Sequence, residues 1–260
     1  MFEFPPLQQF MRVSQILANR LWAEANAGNM SMRVDPSELP EYIEIDENVK
    51  FGYSFPVLNG DWYFVTATKS RARDMERIPS QTIGLVELTE MGARIVCRWG
   101  AYPPTSEFPA HMSIYSACRE SRPEIRAVLH THPPNLIAMT HLPYMQDSGY
   151  INTALRSMHP EVPILVPDGV ACLEFKIPGS MELGTATGEA LLKCRVAIWP
   201  MHGVVSIAEN LDKALDQIEI LEKAATIYML VRSTGQEPVG LSPTQINDSC
   251  GFWGVAGDLV

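Results

Sequence analysis

The sequence has no closely paired cysteines and no long apolar run. Its five cysteines are far apart and form no Cys-x-x-Cys pair. This spacing disfavours a disulfide framework and favours reduced thiols. No stretch approaches the roughly 20 apolar residues of a membrane-spanning helix, and residues 1–6 lack the basic region and apolar run of a secretory leader. We therefore expect a cytoplasmic protein without a membrane partner.

Signals for binding nucleotides or nucleic acids are also missing. No Gly-x-Gly-x-x-Gly or Gly-x4-Gly-Lys-[Ser/Thr] segment follows a predicted strand, which disfavours a dinucleotide or nucleoside triphosphate site. The formal net charge of −10 comes from carboxylates dispersed along the chain and not from an acidic tail. Dispersed negative charge favours a soluble protein and disfavours nucleic acid as a partner.

The chain does contain enough apolar sequence for a sizeable core. Its 260 residues, of which 46% are hydrophobic, contain no repeat or linker, and they predict a single domain over 1–260. Residues 36–60 are acidic and rich in Pro, Asn and Tyr, which predicts an excursion from the core.

Apolar residues at helical or alternating spacing predict interspersed helices and strands. Helices are predicted at 7–25, 106–119, 133–139 and 211–231, with another between 175 and 196. Strands are predicted at 29–34, 61–66, 82–88, 93–99, 127–132, 164–166, 172–175 and 196–199. Several strands are joined by tight turns, so the predicted fold class is α/β, with helices on a largely antiparallel or mixed sheet.

A His-x-His pair lies at the end of the strand predicted at 127–132. Residues two apart in a strand face the same side, so His130 and His132 project together and can bind one metal ion. Zinc takes about four ligands and keeps one position open in catalytic sites, and His202 is the candidate third ligand because it directly follows a strand. The alternative is that both strand histidines are satisfied by hydrogen bonds in the core. A cupin-type site is disfavoured because Pro133 and the following proline end the strand.

One carboxylate is placed at the start of a predicted helix. Pro109 is tolerated only in the first helical turn, so Glu107 lies near the N-terminus of that helix. It either complements the helix dipole or serves as a general acid or base beside a metal.

Two segments are candidates for binding a phosphate group. Residues 66–71 combine hydroxyls and cations after a strand, which fits either a phosphate site or a solvated turn. Residues 26–29 offer amide donors, although Asn and Gly here are more typical of an ordinary helix cap. The histidines without a spacing partner are interpreted as structural or surface residues; they are His111, His141 and His159.

Taken in order, four segments resemble the class II aldolases that act on fuculose and rhamnulose phosphates. They are 26–29 (Asn-Ala-Gly-Asn), 104–111 (Pro-Thr-Ser-Glu-Phe-Pro-Ala-His), 130–132 (His-Thr-His) and 199–204 (Trp-Pro-Met-His-Gly-Val). The similarity extends from about residue 15 to 228, and the long excursion together with segments 135–138, 166–170 and 177–180 resembles the rhamnulose phosphate branch. The resemblance implies a three-layer α/β/α domain of the class II aldolase/adducin type with a mostly antiparallel central sheet. It also implies a homotetramer with active sites at subunit boundaries.

The resemblance further implies roles for individual residues. The ligands of one zinc ion per subunit would be His130, His132 and His202. The catalytic groups would be Glu107 and, from a neighbouring subunit, Glu161. The substrate phosphate would be bound by Asn26, Asn29, Thr68 and Ser106. That family carries a glycine in its phosphate turn, whereas residues 66–70 have none, so Lys69 or Arg71 would contribute charge.

The implied activity is retro-aldol cleavage of a phosphorylated ketose, L-rhamnulose 1-phosphate, in rhamnose catabolism. The products would be dihydroxyacetone phosphate and L-lactaldehyde. Negative charge develops on the ketose fragment, which calls for a Lewis acid. Glu107 would move the proton at C3, and Glu161 would serve the C4 hydroxyl. The alternatives are an L-fuculose-1-phosphate aldolase, a pentulose-phosphate 4-epimerase, a methylthioribulose-phosphate dehydratase or an adducin-like binding module.

Overall fold

A computed structural model describes residues 1–40, 47–50 and 52–255 of the chain. Within these ranges the strands form one nine-stranded sheet in the order β2-β5-β4-β3-β1-β6-β9-β8-β7. The strands are β1 Asn29–Val34, β2 Glu47–Lys50, β3 Trp62–Thr66, β4 Ile83–Thr89, β5 Arg94–Gly100, β6 Ala127–Thr131, β7 Val170–Cys172, β8 Val196–Trp199 and β9 Gly203–Ala208. The helices are α1 Pro5–Asn19, α2 Pro79–Thr82, α3 Phe108–Cys118, α4 Pro134–Met139, α5 Ser148–Met158, α6 Glu161–Leu165, α7 Met181–Ala190, α8 Leu211–Arg232 and α9 Pro243–Phe252.

The sheet is mixed, which corrects the mostly antiparallel sheet implied by the family resemblance. Neighbouring strands pair antiparallel from β2 through β8, but β7 and β8 pair in parallel at the edge. Their parallel pairing follows from the connection between them, which contains helix α7. A helical crossover of this kind returns the chain in the same direction and so produces a parallel pair.

Side chains of the central strands alternate between two buried clusters. In β6, Leu129 belongs to a cluster that contains residues of α1 and α8, whereas the adjacent Val128 belongs to one that contains residues of α3 and α7. This alternation follows from the two-residue period of a strand. Helices therefore contribute to both clusters, while the three-layer arrangement stays a prediction. No helix among the described residues is long and apolar enough to cross a membrane.

The first helix is shorter at its C-terminal end than the sequence predicts. α1 ends at Asn19, and the following chain contains Leu21 and Ala25 in the left-handed region, with φ values of 58° and 51°. Between them, the carbonyl of Trp22 accepts hydrogen bonds from His132 N at 2.8 Å and Thr131 Oγ1 at 2.6 Å. These tertiary contacts to the end of β6 outweigh the helical periodicity of the segment.

The strand predicted at 164–166 is wrong, because residues Glu161–Leu165 form helix α6. So short an apolar run does not distinguish a strand from a helix. Pro160 precedes the helix and an acidic residue occupies its first turn, and both features favour a helix start. The predicted excursion at 36–60 contains the edge strand β2 and short 3₁₀ turns at Pro36–Glu38 and Pro56–Leu58, while residues 41–46 and 51 lie outside the described part of the chain.

Candidate metal centre and active site

Three histidines converge at one end of the sheet. His130 is the penultimate residue of β6, His132 directly follows that strand, and His202 lies in the turn between β8 and β9. The ring centroids are 5.0 Å apart for His130 and His132, 4.9 Å for His130 and His202, and 5.3 Å for His132 and His202. One ligand atom from each residue lies within 4.8 Å of the other two. The structure thus brings together the three residues that the sequence predicts as metal ligands.

Hydrogen bonds fix which ring nitrogen of two histidines faces the centre. Nδ1 of His130 lies 3.1 Å from the carbonyl oxygen of Val204, and Nδ1 of His132 lies 2.8 Å from Oε1 of Glu24. A carbonyl and a carboxylate only accept, so both Nδ1 atoms carry the proton and both Nε2 atoms carry a free lone pair. Such outer partners orient metal-binding histidines and increase their basicity.

The donor set fits a zinc ion. The two Nε2 atoms of His130 and His132 are 3.2 Å apart. Two nitrogens bound at about 2.0–2.1 Å to a tetrahedral zinc lie about 3.3–3.4 Å from each other. Three imidazoles with a further position open are also one of the usual ligand sets of a catalytic zinc site. The geometry and chemistry of these residues therefore suit zinc.

Burial keeps the imidazoles of His130 and His202 in the form that binds metals. Burial lowers the pKa of His130 well below its usual value, and the neighbouring His132 and His202 lower it further. Burial also lowers the pKa of His202, against the opposing attraction of Glu107. A metal binds the uncharged imidazole, so these ligands need not lose a proton at neutral pH.

Gly203 is packed directly against the histidine rings. A Cβ atom at this position would lie 2.7 Å from the carbonyl oxygen of Thr131, 2.8 Å from Cδ2 of His132 and 2.9 Å from Cε1 of His130. The Met201 backbone, with φ of 59°, forms the preceding turn, and its N–H donates to Thr140 Oγ1 at 2.8 Å. Only a residue without a side chain leaves both rings where they are.

We expect Gly203→Ala to weaken zinc binding by about 10- to 100-fold, because the new methyl group displaces both rings. The zinc dissociation constant, measured by competition with a chromogenic chelator, checks this. Gly251→Ala is the matched control, since a Cβ at residue 251 meets no atom within 4 Å. Equal zinc affinity in the two variants would contradict the packing argument.

Glu107 faces the histidines and does not cap its helix. It is the residue before α3, is 9% exposed, and its side chain makes no capping hydrogen bond. Its Oε2 lies 3.5 Å from Nε2 of His130, and its Oε1 lies 3.9 Å from Nε2 of His202. Of the two interpretations of this carboxylate, the geometry favours an acid or base beside the metal centre over a role in complementing the helix dipole.

The candidate phosphate residues are placed around the same end of the sheet. Thr68 N donates to the carbonyl of Pro103 at 2.9 Å, and Ala67 pairs with Pro104, so the turn after β3 lies beside the segment that leads to Ser106 and Glu107. Asn26 is exposed in the turn before β1, and Ser106 is exposed as well. The turn has no glycine, yet Lys69 adopts a φ of 60°, a conformation that glycine adopts more readily.

Asn29 is placed differently from the other candidates. It is 7% exposed, and its amide donates from Nδ2 to Oε2 of Glu107 at 2.8 Å. The register of the sheet pairs it with His130 across β1 and β6. Its side chain is therefore part of the wall between the helix that carries Glu107 and the strand that carries His130.

Glu161 lies apart from the histidines within one chain. It is exposed in the first turn of α6, where its N–H donates to Nδ1 of His159 at 3.3 Å. It lines a surface groove together with Phe252 at the end of α9 and the following Trp253. Among the described residues, no hydrogen bond or ion pair of this chain joins Glu161 to the metal centre. A catalytic role for Glu161, supplied by a neighbouring subunit, stays a prediction.

Two residues at the site are not identified from the sequence. Glu24 is in the segment predicted as helix, and its contact with His132 depends on the left-handed turn after α1. His111 is interpreted from the sequence as a structural or surface residue, and the structure shows it buried, with Nε2 2.6 Å from Oδ1 of Asn29. His111 is four residues from Glu107, a spacing that places both side chains on the same side of the start of α3. This spacing was the one signal in the sequence that relates His111 to the site.

Comparisons with known proteins agree with the fold. The chain matches the family described as Class II Aldolase and Adducin N-terminal domain over residues 8–229. It is 32% identical over 240 residues to a rhamnulose-1-phosphate aldolase of Bacteroides thetaiotaomicron, covering 91% of this chain and 89% of the relative. It is 31% identical over 220 residues to a rhamnulose-1-phosphate aldolase of Listeria monocytogenes, covering 82% and 80% respectively.

Solved structures give the same result. A sugar-phosphate aldolase from Thermotoga maritima superposes with a TM-score of 0.81 and 36% identity, covering 90% of this chain and 97% of that one. An L-fuculose-1-phosphate aldolase from Thermus thermophilus has a TM-score of 0.58 at 20% identity, covering 89% and 97%, and so shares the fold. The chain belongs to the class II aldolase and adducin N-terminal domain family. Membership in this family supports an aldolase activity, and aldolases are lyases.

Proposed function

We propose that this protein is a zinc-dependent aldolase that cleaves L-rhamnulose 1-phosphate to dihydroxyacetone phosphate and L-lactaldehyde. The observation that carries the proposal is the cluster of His130, His132 and His202 with the Glu107 carboxylate 3.5 Å from Nε2 of His130. The relatives named rhamnulose-1-phosphate aldolase support the choice of sugar. A binding module would have no need for a buried carboxylate beside three metal-binding imidazoles.

In this proposal the three imidazoles hold a zinc ion, which supplies Lewis-acid chemistry at the ketose oxygens and is worth several kcal/mol. Cleavage breaks the C3–C4 bond, the electron pair passes to the ketose fragment, and the C4 hydroxyl loses its proton as the aldehyde forms. Glu107, protonated at this stage, delivers its proton to C3, which completes dihydroxyacetone phosphate and leaves the Glu107 carboxylate ionised. Glu161 of a neighbouring subunit accepts the proton of the C4 hydroxyl.

The substrate phosphate is bound by four residues from three segments. They are Asn26 just before β1 and Asn29 at its start, Thr68 in the turn after β3, and Ser106 just before α3. The chain forms one domain over 1–260 with three α/β/α layers. It assembles as a cytoplasmic homotetramer with one zinc ion per subunit, and an exposed Glu161 in the single chain fits such an arrangement.

The experiment that tests the substrate is the release of dihydroxyacetone phosphate from a panel of ketose phosphates. We expect the highest kcat/KM for L-rhamnulose 1-phosphate, compared with L-fuculose 1-phosphate and L-ribulose 5-phosphate. Dialysis against EDTA should abolish this activity and added zinc should restore it. A coupled assay with glycerol-3-phosphate dehydrogenase follows the released product directly.

Each alternative function predicts a different outcome of the same panel. Faster cleavage of L-fuculose 1-phosphate would reassign the sugar and retain the mechanism. Epimerisation of L-ribulose 5-phosphate, or loss of water from methylthioribulose phosphate, would replace aldol cleavage by another reaction. No turnover of any ketose phosphate by the zinc-loaded protein would reject the proposed function and favour a binding module.

A further inference from the structure

A chain of buried polar side chains leads from β1 to Glu107. Ser31 Oγ lies 2.7 Å from Nδ1 of His111, and Nε2 of His111 lies 2.6 Å from Oδ1 of Asn29. Nδ2 of Asn29 in turn lies 2.8 Å from Oε2 of Glu107. His111 is 1% exposed and Ser31 is 0% exposed, so water does not compete for these contacts. His111 makes no contribution to the reaction proposed above.

The Glu107 carboxylate determines the direction of each hydrogen bond in this series of side chains. Glu107 only accepts when ionised, so the NH₂ group of Asn29 faces it and the carbonyl oxygen of Asn29 faces His111. That oxygen also only accepts, so His111 carries its proton on Nε2. Its Nδ1 is then an acceptor, and the Ser31 hydroxyl donates to it at 2.7 Å in preference to the Tyr115 hydroxyl, which lies farther away at 3.2 Å. One tautomer of His111 therefore satisfies every group in the chain.

The fold holds this series of hydrogen-bonded side chains rigidly. Glu107 and His111 are four residues apart at the start of α3, and Asn29 and Ser31 are two residues apart in β1, so both pairs face the same interface. Burial lowers the pKa of His111 to about 3, against the opposing attraction of Glu107. The imidazole thus stays neutral at physiological pH and keeps one donor and one acceptor.

We propose that His111 is a positioning residue, which holds the Asn29 amide in the orientation that fixes the Glu107 carboxylate against the three-histidine cluster. This inference rests on the proposed function, in which Glu107 transfers the proton at C3. The inference assigns one N–H of the Asn29 amide to Glu107, which leaves the other N–H for the substrate phosphate. Networks of this kind restrict a side chain to one rotamer and so preorganise it for reaction.

Two variants that differ by one methylene test this role. In His111→Gln the side-chain nitrogen would reach the place of Nε2 and can donate to Asn29, whereas in His111→Asn it reaches only the place of Nδ1, beside Ser31. For His111→Asn we expect kcat and the exchange of a C3 hydrogen of dihydroxyacetone phosphate with D₂O to fall by about 100-fold. For His111→Gln we expect both rates to stay close to those of the unmodified protein, with full zinc content in each variant.

The outcomes separate this inference from the proposed function. If the unmodified zinc protein exchanges and cleaves, but His111→Asn is as active as His111→Gln, the positioning role is rejected and the proposed function stands. If the unmodified protein does neither, the proposed function fails. The tautomer is then tested without activity, by ¹⁵N spectra of protein labelled at histidine. We expect His111 to be protonated at Nε2 alone at pH 7, and protonation at Nδ1 would overturn the inference even if the variants did not fold.

Discussion

Replacing His202 by alanine is expected to abolish stoichiometric zinc binding and to lower kcat/KM for L-rhamnulose 1-phosphate by about 10³-fold or more. The reason is that two imidazoles hold zinc far less tightly than three, and the Lewis-acid contribution is worth several kcal/mol. His202 is the better target because its side chain is 17% exposed, whereas that of His130 is 1% exposed in the core, where truncation also leaves a cavity. Zinc content by elemental analysis and steady-state kinetics measure the two effects.

The control for this variant is His141→Ala, which removes an exposed histidine outside the cluster. It should keep both zinc and activity. Thermal unfolding gives a further readout, because a ligand that binds only the folded state at 100 times its Kd stabilises it by about 2.7 kcal/mol. Zinc should raise the Tm of the unmodified protein and of His141→Ala, but not that of His202→Ala. Full zinc content in His202→Ala would reject the three-histidine site.

The His-x-His pair illustrates what local geometry predicts from a sequence. A strand has a two-residue period, so His130 and His132 had to share a face once the segment was identified as a strand. The proline after His132 fixed the end of that strand. The prediction of His202 as the third ligand required only that the turn after its strand lie beside the strand of the other two histidines. The pairing of β9 with both β6 and β8 supplies this neighbourhood, although β9 itself was not predicted.

The partners of these histidines follow from long-range packing and were not predictable in the same way. Glu24 reaches His132 only because the chain after α1 leaves the helix through Leu21 and Ala25 at positive φ. Residues of these types give no signal for such a turn, which usually contains Gly or Asn. The periodicity of the segment instead predicted that the helix continues.

The polar chain to Glu107 shows a second limit of sequence reasoning. His111 lies 82 residues along the chain from Asn29, and no spacing rule relates the two. Within each element the pattern was present, as a pair four apart on α3 and a pair two apart on β1. Which helix face meets which strand face is decided by the packing of α3 on the sheet. The sequence therefore predicted Asn29 and Glu107 separately, with a role for each, but not their contact.

In the proposed function, metal binding and proton transfer are separate tasks, and they are assigned to different residues. The imidazoles present lone pairs to one point, and the tautomers of His130 and His132 are fixed by Val204 and Glu24. Glu107 is held by a hydrogen bond from Asn29. Because the two sets of supports do not share a residue, substitution of the carboxylate should leave the metal in place.

Glu107→Gln is accordingly expected to lower kcat by about 10² to 10⁴-fold, the usual contribution of a general acid or base, while zinc stays bound. The amide keeps the shape of the side chain, and its oxygen can still accept from Asn29, so the loss is that of the proton and not of packing. Exchange of a C3 hydrogen of dihydroxyacetone phosphate with D₂O should fall by a similar factor, because that half-reaction needs no aldehyde. Nuclear magnetic resonance of the exchanged product measures it.

Glu120→Gln, an exposed change just beyond the end of α3, is the matched control and should leave both rates unchanged. If Glu107→Gln exchanges the C3 hydrogen as fast as this control, another group moves the proton. If Glu107→Gln instead loses its zinc, the carboxylate acts as a metal ligand. A loss of exchange with retained zinc is the combination that only a proton-transfer role predicts, because it separates the two tasks that the geometry assigns to different residues.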